Sequence, residues 1–588
     1  MKSFFKYFFA IILGAIVSVI LLFFILLGVI SVAVSSSEKE VTIKENSILK
    51  LEFNRPIPDR TSQNPLENFD FTSLKPNVTV GLNDILKDIS YAKTDPDIKG
   101  IYLDLSMAPT GFGTIEEIRN ALLDFKKSKK FIISYADYYT QGAYYIATAA
   151  DSIFLNPVGE VAFLGLRAEV MFYKGAFEKL DIEPVIIRHG KFKSAVEPYI
   201  TDKMSPENRE QITSLINGLW GHVMDGISAQ RKISKPELIR LADGLLIRNA
   251  KSAFDYKLID GLRYKDEILH RLTKLSGVAS EKKLAFVTLN QYNKAPKTSK
   301  DFPKDKIAVI YASGEINMGE GSNESIGCDG LSKTIREARS DTSIKAIVLR
   351  INSPGGSSLA SEVIWREVSL AAKAKPLVVS MGSVAASGGY YIATPADTIV
   401  AESTTITGSI GVFGMTFNVK NFMNKKLGIT TDVAQTNKHA DLGSIYRPLT
   451  AEEKEVVQAE VENIYDIFTT RVSDGRKMRK TAVDSIGQGR VWSAIDAHRI
   501  GLVDVIGGVD AAIKIAARKV KAKTYRIVEL PKQEENALTS LLNDMSTKVK
   551  SNIIKSELGN EYTIYNNLKE ILQRQGINAR MPFELNLY

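Results

Sequence analysis

The sequence predicts an α/β protein of two tandem domains, each made of βα units around a mostly parallel sheet. Three observations carry this reading. Gly142-Ala-Tyr-Tyr-Ile-Ala-Thr-Ala-Ala-Asp151 recurs as Gly388-Gly-Tyr-Tyr-Ile-Ala-Thr-Pro-Ala-Asp397, an offset of 246 that is too long for a solenoid unit and marks a duplicated domain. Asp97-Ile-Lys-Gly-Ile101 and Ser343-Ile-Lys-Ala-Ile347 share that offset, and Ser252-Ala-Phe-Asp255 is echoed later by Ser493-Ala-Ile-Asp496. Within each copy, short apolar β-prone runs alternate with segments of helical spacing, the pattern of strands joined by crossover helices.

At the amino terminus, Lys2 and Lys6 precede Tyr7 to Val34, a run without a charged residue. It exceeds the roughly 20 residues that span a bilayer, whereas a cleaved signal peptide has an apolar region of about 7–15. Cleavage near Ala33 is the competing reading. We expect an uncleaved anchor with its tail in residues 1–36, a cytoplasmic amino terminus by the positive-inside rule, and a single-pass protein with an extracytoplasmic body.

The first domain is expected over residues 40–289. Its strands read as Ile48 to Phe53 and Ile101 to Leu105, its helices as Leu82 to Ala92 and Ile115 to Lys126. A further short strand, Val185 to Ile187, leads into Arg188-His-Gly-Lys-Phe-Lys-Ser-Ala-Val-Glu-Pro198, ahead of a helix starting near Ser205. Residues 290–306, rich in Lys, Pro, Asn and Ser, read as a linker. The second domain, 307–531, repeats the order with strands Ile307 to Tyr311 and Ala346 to Ile351 and helices Gly330 to Ala338 and Ser358 to Lys373. Residues 532–588 read as a peripheral appendage with a polar helix over about Glu535 to Leu572, suited to oligomer contacts.

Composition narrows the function. The net charge of +9 over 588 residues is spread along the chain, and no basic block is interleaved with aromatics, so nucleic acid is not an expected partner. A lone cysteine, Cys328, excludes intramolecular disulfides and paired-cysteine sites. The five histidines, His189, His222, His270, His439 and His498, show no ligand spacing, so neither a metal nor a cofactor is expected.

The chemistry concentrates in Leu377 to Phe413, where an apolar strand runs through small residues into Ser387-Gly388-Gly389 and a helix-compatible segment. A hydroxyl at a strand-to-helix junction flanked by Gly can be exposed to a substrate, and the helix N-terminus offers N–H groups to developing negative charge. Asn352-Ser-Pro-Gly-Gly356, a turn directly after a strand, is a candidate oxyanion-binding loop as well as an ordinary tight turn. The first copy has Gln141 opposite Ser387 and no paired glycines opposite Gly355-Gly356. It offers instead Lys193 as the base that a serine nucleophile needs. The matching stretch of the second copy, Thr436 to Ser444, places Ala440 opposite Lys193, give or take a residue, with Lys438 close by. To act near neutral pH, Lys193 has to lose its proton far below the usual value of about 10.4. Burial between the domains can do this, helped by positive charge on Lys191 or Arg188.

The segments S-M-G-x-x-A-A-S-G-G-Y-Y-I, N-S-P-G-G-S, T-G-S-I-G-V-F-G and K-S-A-V-E-P-Y-I-T-D-K-M-S-P resemble the long, duplicated form of signal peptide peptidase A. These are membrane-anchored serine peptidases with a Ser–Lys dyad and a fold like the Clp protease and crotonase enzymes. The resemblance implies that Ser387 is the nucleophile and Lys193 the general base. It implies further that Gly355, Gly356 and Gly388 form the oxyanion hole and that Ser409 orients the lysine. Short members carry the lysine in the serine's own domain, near where Lys438 lies here. The resemblance also implies a homotetramer, attachment to the bacterial cytoplasmic membrane with the body on the periplasmic side, and signal-peptide remnants as substrates. Two other classes compete with this reading. A non-catalytic scaffold on the same fold does not need Ser387, Lys193 and the Gly pair together. A β-lactamase-like enzyme using S-x-x-K, as at Ser36–Lys39 or Ser280–Lys283, lacks its S-D-N and K-T-G boxes.

Overall fold

The computed structural model describes residues 6–7, 11–18, 21, 41–62, 69–70, 75–76, 79–297, 303–322, 324–533 and 576–581. In the first half, strands β1 (Ser47–Leu51), β2 (Ile98–Asp104), β3 (Phe131–Tyr139) and β4 (Ser152–Val161) are followed by β5 (Glu183–Arg188), β6 (Gly261–Leu262) and β7 (Phe286–Thr288). All but β5 form a parallel sheet in the order β6-β4-β3-β2-β1-β7. Helices α1 (Leu82–Thr94), α2 (Phe112–Phe125), α3 (Gln141–Ala147) and α4 (Pro206–Arg231) belong to this half.

The second half repeats the plan with β8 (Lys306–Ser313), β9 (Glu315–Asn317), β10 (Ile344–Ser353), β11 (Gly355–Ser357), β12 (Leu377–Ala386), β13 (Thr398–Ala401), β14 (Ile406–Gly408) and β15 (Phe413–Asn418), then β16 (Val491–Ser493), β17 (Val505–Ile506) and β18 (Arg526–Leu530). Its sheet runs β16-β14-β12-β10-β8-β18, with β13 beside β12 and β17 beside β13. The helices are α5 (Cys328–Ser340), α6 (Ser358–Ala374), α7 (Gly388–Ala393) and α8 (Ala451–Arg476). The runs Ala346–Leu349 of β10 and Leu377–Val379 of β12 are wholly apolar because both faces of a parallel sheet are covered. The long helices α4 and α8 each have 26 residues and open on a hydroxyl cap, Ser205 and Thr450. Pro206 at the first turn of α4 supplies a preset φ where no N–H is needed.

What positions the site is a third sheet that neither half owns. Strand β5 leaves its own domain and pairs antiparallel with β15, Arg188 opposite Phe413 and Glu183 opposite Asn418. Between β15 and β11 lies β19 (Gly576–Arg580), antiparallel to both. The residues expected in a peripheral appendage therefore include a strand in the middle of a sheet. Its short Ile-Asn-Ala-Arg run carries no length of pattern from which a strand could be read. The expected helix over about Glu535 to Leu572 lies outside the described residues. The expected linker holds a one-turn helix, Leu289–Lys294, which the Thr288 hydroxyl caps through the Gln291 N–H.

The halves also meet through buried charge. Arg350 of β10 is 1% exposed, with its Nη2 2.6 Å from Glu117 and 2.8 Å from Asp59 of the first half. Most of Tyr7 to Val34 lies outside the described residues, and among those described no helix is long and apolar enough to cross a membrane. Cys328 is buried and unpaired.

Candidate active site

Strand β12 delivers Ser387 to the junction with α7. Ser387 is fully buried and adopts φ 55° and ψ −113°, a conformation that costs a non-glycine residue energy and persists only where its surroundings enforce it. The enforcement is visible: its N–H donates to the Gly408 carbonyl at 2.7 Å and its carbonyl accepts from the Tyr391 N–H at 2.8 Å. The hydroxyl is thereby turned off the strand, with Lys193 Nζ at 3.0 Å and the Gly411 carbonyl at 3.4 Å.

Lys193 comes from the turn after β5, in the other half of the chain, and is 0% exposed. Its turn is held from both sides. The Phe192 N–H donates to the Gln488 carbonyl at 2.9 Å. Gln211 of α4 donates to the Phe192 carbonyl at 3.0 Å and to Ser194 Oγ at 2.8 Å, while accepting from the Val491 N–H at 3.2 Å. A Cβ on Gly489 would stand 2.6 Å from Lys193 Cβ, and one on Gly411 would stand 3.2 Å from Lys193 Cδ. The lysine lies in a slot that only glycines leave open.

Lys193 Nζ also lies 3.0 Å from Ser409 Oγ and donates to the Arg580 carbonyl. Ser409 has φ 53°, its N–H donates to the Arg490 carbonyl at 2.6 Å, and its hydroxyl donates to the Gly489 carbonyl at 3.2 Å. Burial pushes the amine well below the usual lysine range, and no charged neighbour contributes. The expected help from Lys191 or Arg188 is therefore absent. Arg188 has Nη1 3.3 Å from the Lys193 carbonyl and 3.9 Å from Glu197, and Lys191 Nζ lies over the Phe192 ring.

Gly355 and Gly388 lie side by side next to Ser387: a Cβ on Gly355 would be 2.7 Å from the Gly388 nitrogen. Gly355 has φ +97°, which glycine alone adopts freely. Its N–H donates to Ser353 Oγ at 3.1 Å. Gly356 lies one step along β11, opposite Ile316 of β9. Lys438 lies apart from this cluster, exposed and paired with Glu452 at 2.7 Å. Sequence reasoning overlooked Gln211, Gly411, Gly489 and Ser353. Gly487-Gln-Gly489 carried a faint signal as a glycine pair inside the second copy, but nothing in it pointed to Lys193.

The arrangement can move a proton from a hydroxyl to a neutral amine, with backbone N–H groups and a helix N-terminus alongside. The pattern of peptidase family S49 matches residues 124–279 and 369–523, one stretch in each half. The chain is 39% identical over 479 residues to Protease 4 of Salmonella typhi, covering 80% of this chain and 77% of that one. It is 35% identical over 517 residues to the chloroplastic serine protease SPPA of Arabidopsis thaliana, covering 86% of this chain and 74% of that one. Among solved structures, ClpP1 from Listeria monocytogenes is 15% identical at a TM-score of 0.22, covering 34% of this chain and 91% of that one.

Proposed function

The chain belongs to peptidase family S49 and is a serine peptidase, and on that premise we propose that Ser387 and Lys193 form its catalytic dyad across the two halves. The observation that carries this is a fully buried amine 3.0 Å from a strained serine hydroxyl, with burial holding it toward the neutral form. Neutral Lys193 takes the hydroxyl proton of Ser387 as Oγ bonds to the peptide carbonyl carbon. The oxyanion meets the N–H groups of Gly388 and Gly355, the latter turning from Ser353, with the Gly356 N–H one step behind. Collapse of the tetrahedral adduct breaks the C–N bond, and Lys193 gives the proton to the leaving amine. Water then enters and loses a proton to Lys193 as its oxygen bonds to the ester carbon; collapse breaks the bond to Ser387 Oγ, and Lys193 returns the proton to that oxygen. Ser409 keeps the amine aimed at Ser387.

We propose further that the protein is a membrane-anchored endopeptidase acting on residual signal peptides and other apolar peptides. The uncharged run Tyr7 to Val34 supports an anchor, with the body on the extracytoplasmic face. A homotetramer is the assembly this reading expects. The dyad is tested with an acylating serine reagent and peptide mapping. One adduct on Ser387 is expected, lost in Ser387→Ala and strongly slowed in Lys193→Ala. An adduct on another serine with Ser387 unlabelled contradicts the assignment.

A further inference from the structure

The strand beside the dyad is the chain's own. β19 fills a slot one strand wide, bounded by β11 on one side and β15 on the other. Gly355 faces Arg580, Ser357 faces Asn578, and Phe413 faces Asn578 from the opposite edge. Beyond the ladder, the Met581 N–H donates to the Pro354 carbonyl at 2.7 Å and Ser358 Oγ donates to the Ile577 carbonyl at 3.1 Å. Both bounding strands run directly into the dyad region, so the slot is where an extended peptide reaches Ser387 by adding a strand. A cavity of about 930 Å³, lined among others by Asp59, Arg60, Asn352, Pro354 and Met581, adjoins the Met581 end of the slot.

The pose of β19 is that of an occupant rather than of a reacting peptide. The Arg580 carbonyl accepts from Lys193, the base, while the Gly355 N–H beside it donates to Ser353. An attacked carbonyl would instead direct its oxygen to the backbone N–H groups. The side chain at this position is also read. Arg580 Nη1 lies 2.7 Å from Glu315 Oε1 on β9, and the arginine side chain is only 12% exposed. A charge-assisted contact of this kind discriminates charge as well as shape.

We propose that β19 stands in the substrate slot and competes with peptides, and that Glu315 is a specificity-determining residue that binds a cationic side chain at the position aligned with Arg580. This rests on the dyad reading above. A substrate must displace β19, and the Arg580–Glu315 pair sets how readily that happens.

The test uses the full chain and an uncharged, apolar reporter peptide. Arg580→Glu sets two carboxylates against each other and is expected to lower KM at least about fivefold at unchanged kcat. Glu315→Lys, facing Arg580, is expected to lower KM similarly. The double variant, with the pair restored in reverse, is expected to return KM toward the wild-type value, which a merely structural role for either residue would not do. In the Arg580→Glu background a reporter carrying Arg at the aligned position is expected to bind more tightly than its Ala counterpart, and Glu315→Gln is expected to remove that difference. Hydrolysis with the same KM in all four chains overturns this inference and leaves the dyad standing. Failure of every chain to hydrolyse the reporter counts against the dyad, and this inference falls with it. Intact mass is expected to equal the full sequence. Loss of the residues after Arg580 in wild type but not in Ser387→Ala would show that the strand is consumed, and would overturn its standing as an occupant.

Discussion

At the scale of single residues, the proposed dyad depends on an amine placed where water cannot reach it. Lys193 is buried on every side and its pKa falls well below 10.5 for that reason alone. The sign of the linkage follows. Between the depressed value and 10.5, the unfolded chain holds a proton that the folded chain lacks, so stability rises with pH across that window. Lys193→Met removes this contribution. Melting measured from about pH 7 to 10 is expected to show wild type gaining stability relative to Lys193→Met as pH rises, and a flat difference would mean that the amine is not perturbed. The same shift places the rise of kcat/KM with pH well below the ordinary lysine range. Ser387 and Lys193, which lie 3.0 Å apart, could be singled out in the sequence because each copy of the duplication keeps a residue that the other lacks. The glycines that make room for Lys193 were not. Gly411 and Gly489 pack against it from the other half of the chain, and their spacing carries no trace of that contact.

At the scale of elements, the sequence locates most of the secondary structure within a few residues. The expected helix Ser358 to Lys373 ends at Ala374, and the expected strand Ala346 to Ile351 extends to Ile344–Ser353. These elements are periodic and self-contained. The sheet that brings the site together is not, since β5, β11, β15 and β19 are short and pair only with strands distant in the chain. Their partners are set by tertiary packing, which local pattern does not encode. Gln211 shows how a helix enforces the result, since its amide joins the Lys193 turn to β16. It is 1% exposed, so Gln211→Ala leaves buried groups unpartnered and is expected to cost about 1–3 kcal/mol. Denaturant unfolding checks the stability, and kinetics should show kcat falling more than KM rises. An unchanged kcat would mean that the turn holds Lys193 without Gln211.

At the scale of the whole molecule, the proposed dyad draws one residue from each half, and the contact between the halves carries buried charge. Glu402 lies in that contact, 4% exposed, facing Glu117, Glu116, Asn120 and Arg350. Burial first, then the neighbouring carboxylates, pushes its carboxyl up to about 8 from the ordinary 4.5. Here the folded chain holds the extra proton, so stability falls as pH rises from 4.5 to about 8. Glu402→Gln, which mimics the protonated form, is expected to match wild type near about pH 5 and to exceed it progressively toward about pH 8. Parallel melting curves across that range would refute this account of the contact. The duplication was visible in the sequence as an offset, but the sharing of strands between the copies was not.

The most direct test of the central claim, that one half supplies the base and the other the nucleophile, is peptide hydrolysis by the full chain and three variants. Ser387→Ala and Lys193→Ala are expected to fold and to lose at least about a hundredfold in kcat, while Lys438→Ala keeps its activity. Activity retained by Lys193→Ala and lost by Lys438→Ala would contradict the account, since the second half would then work alone.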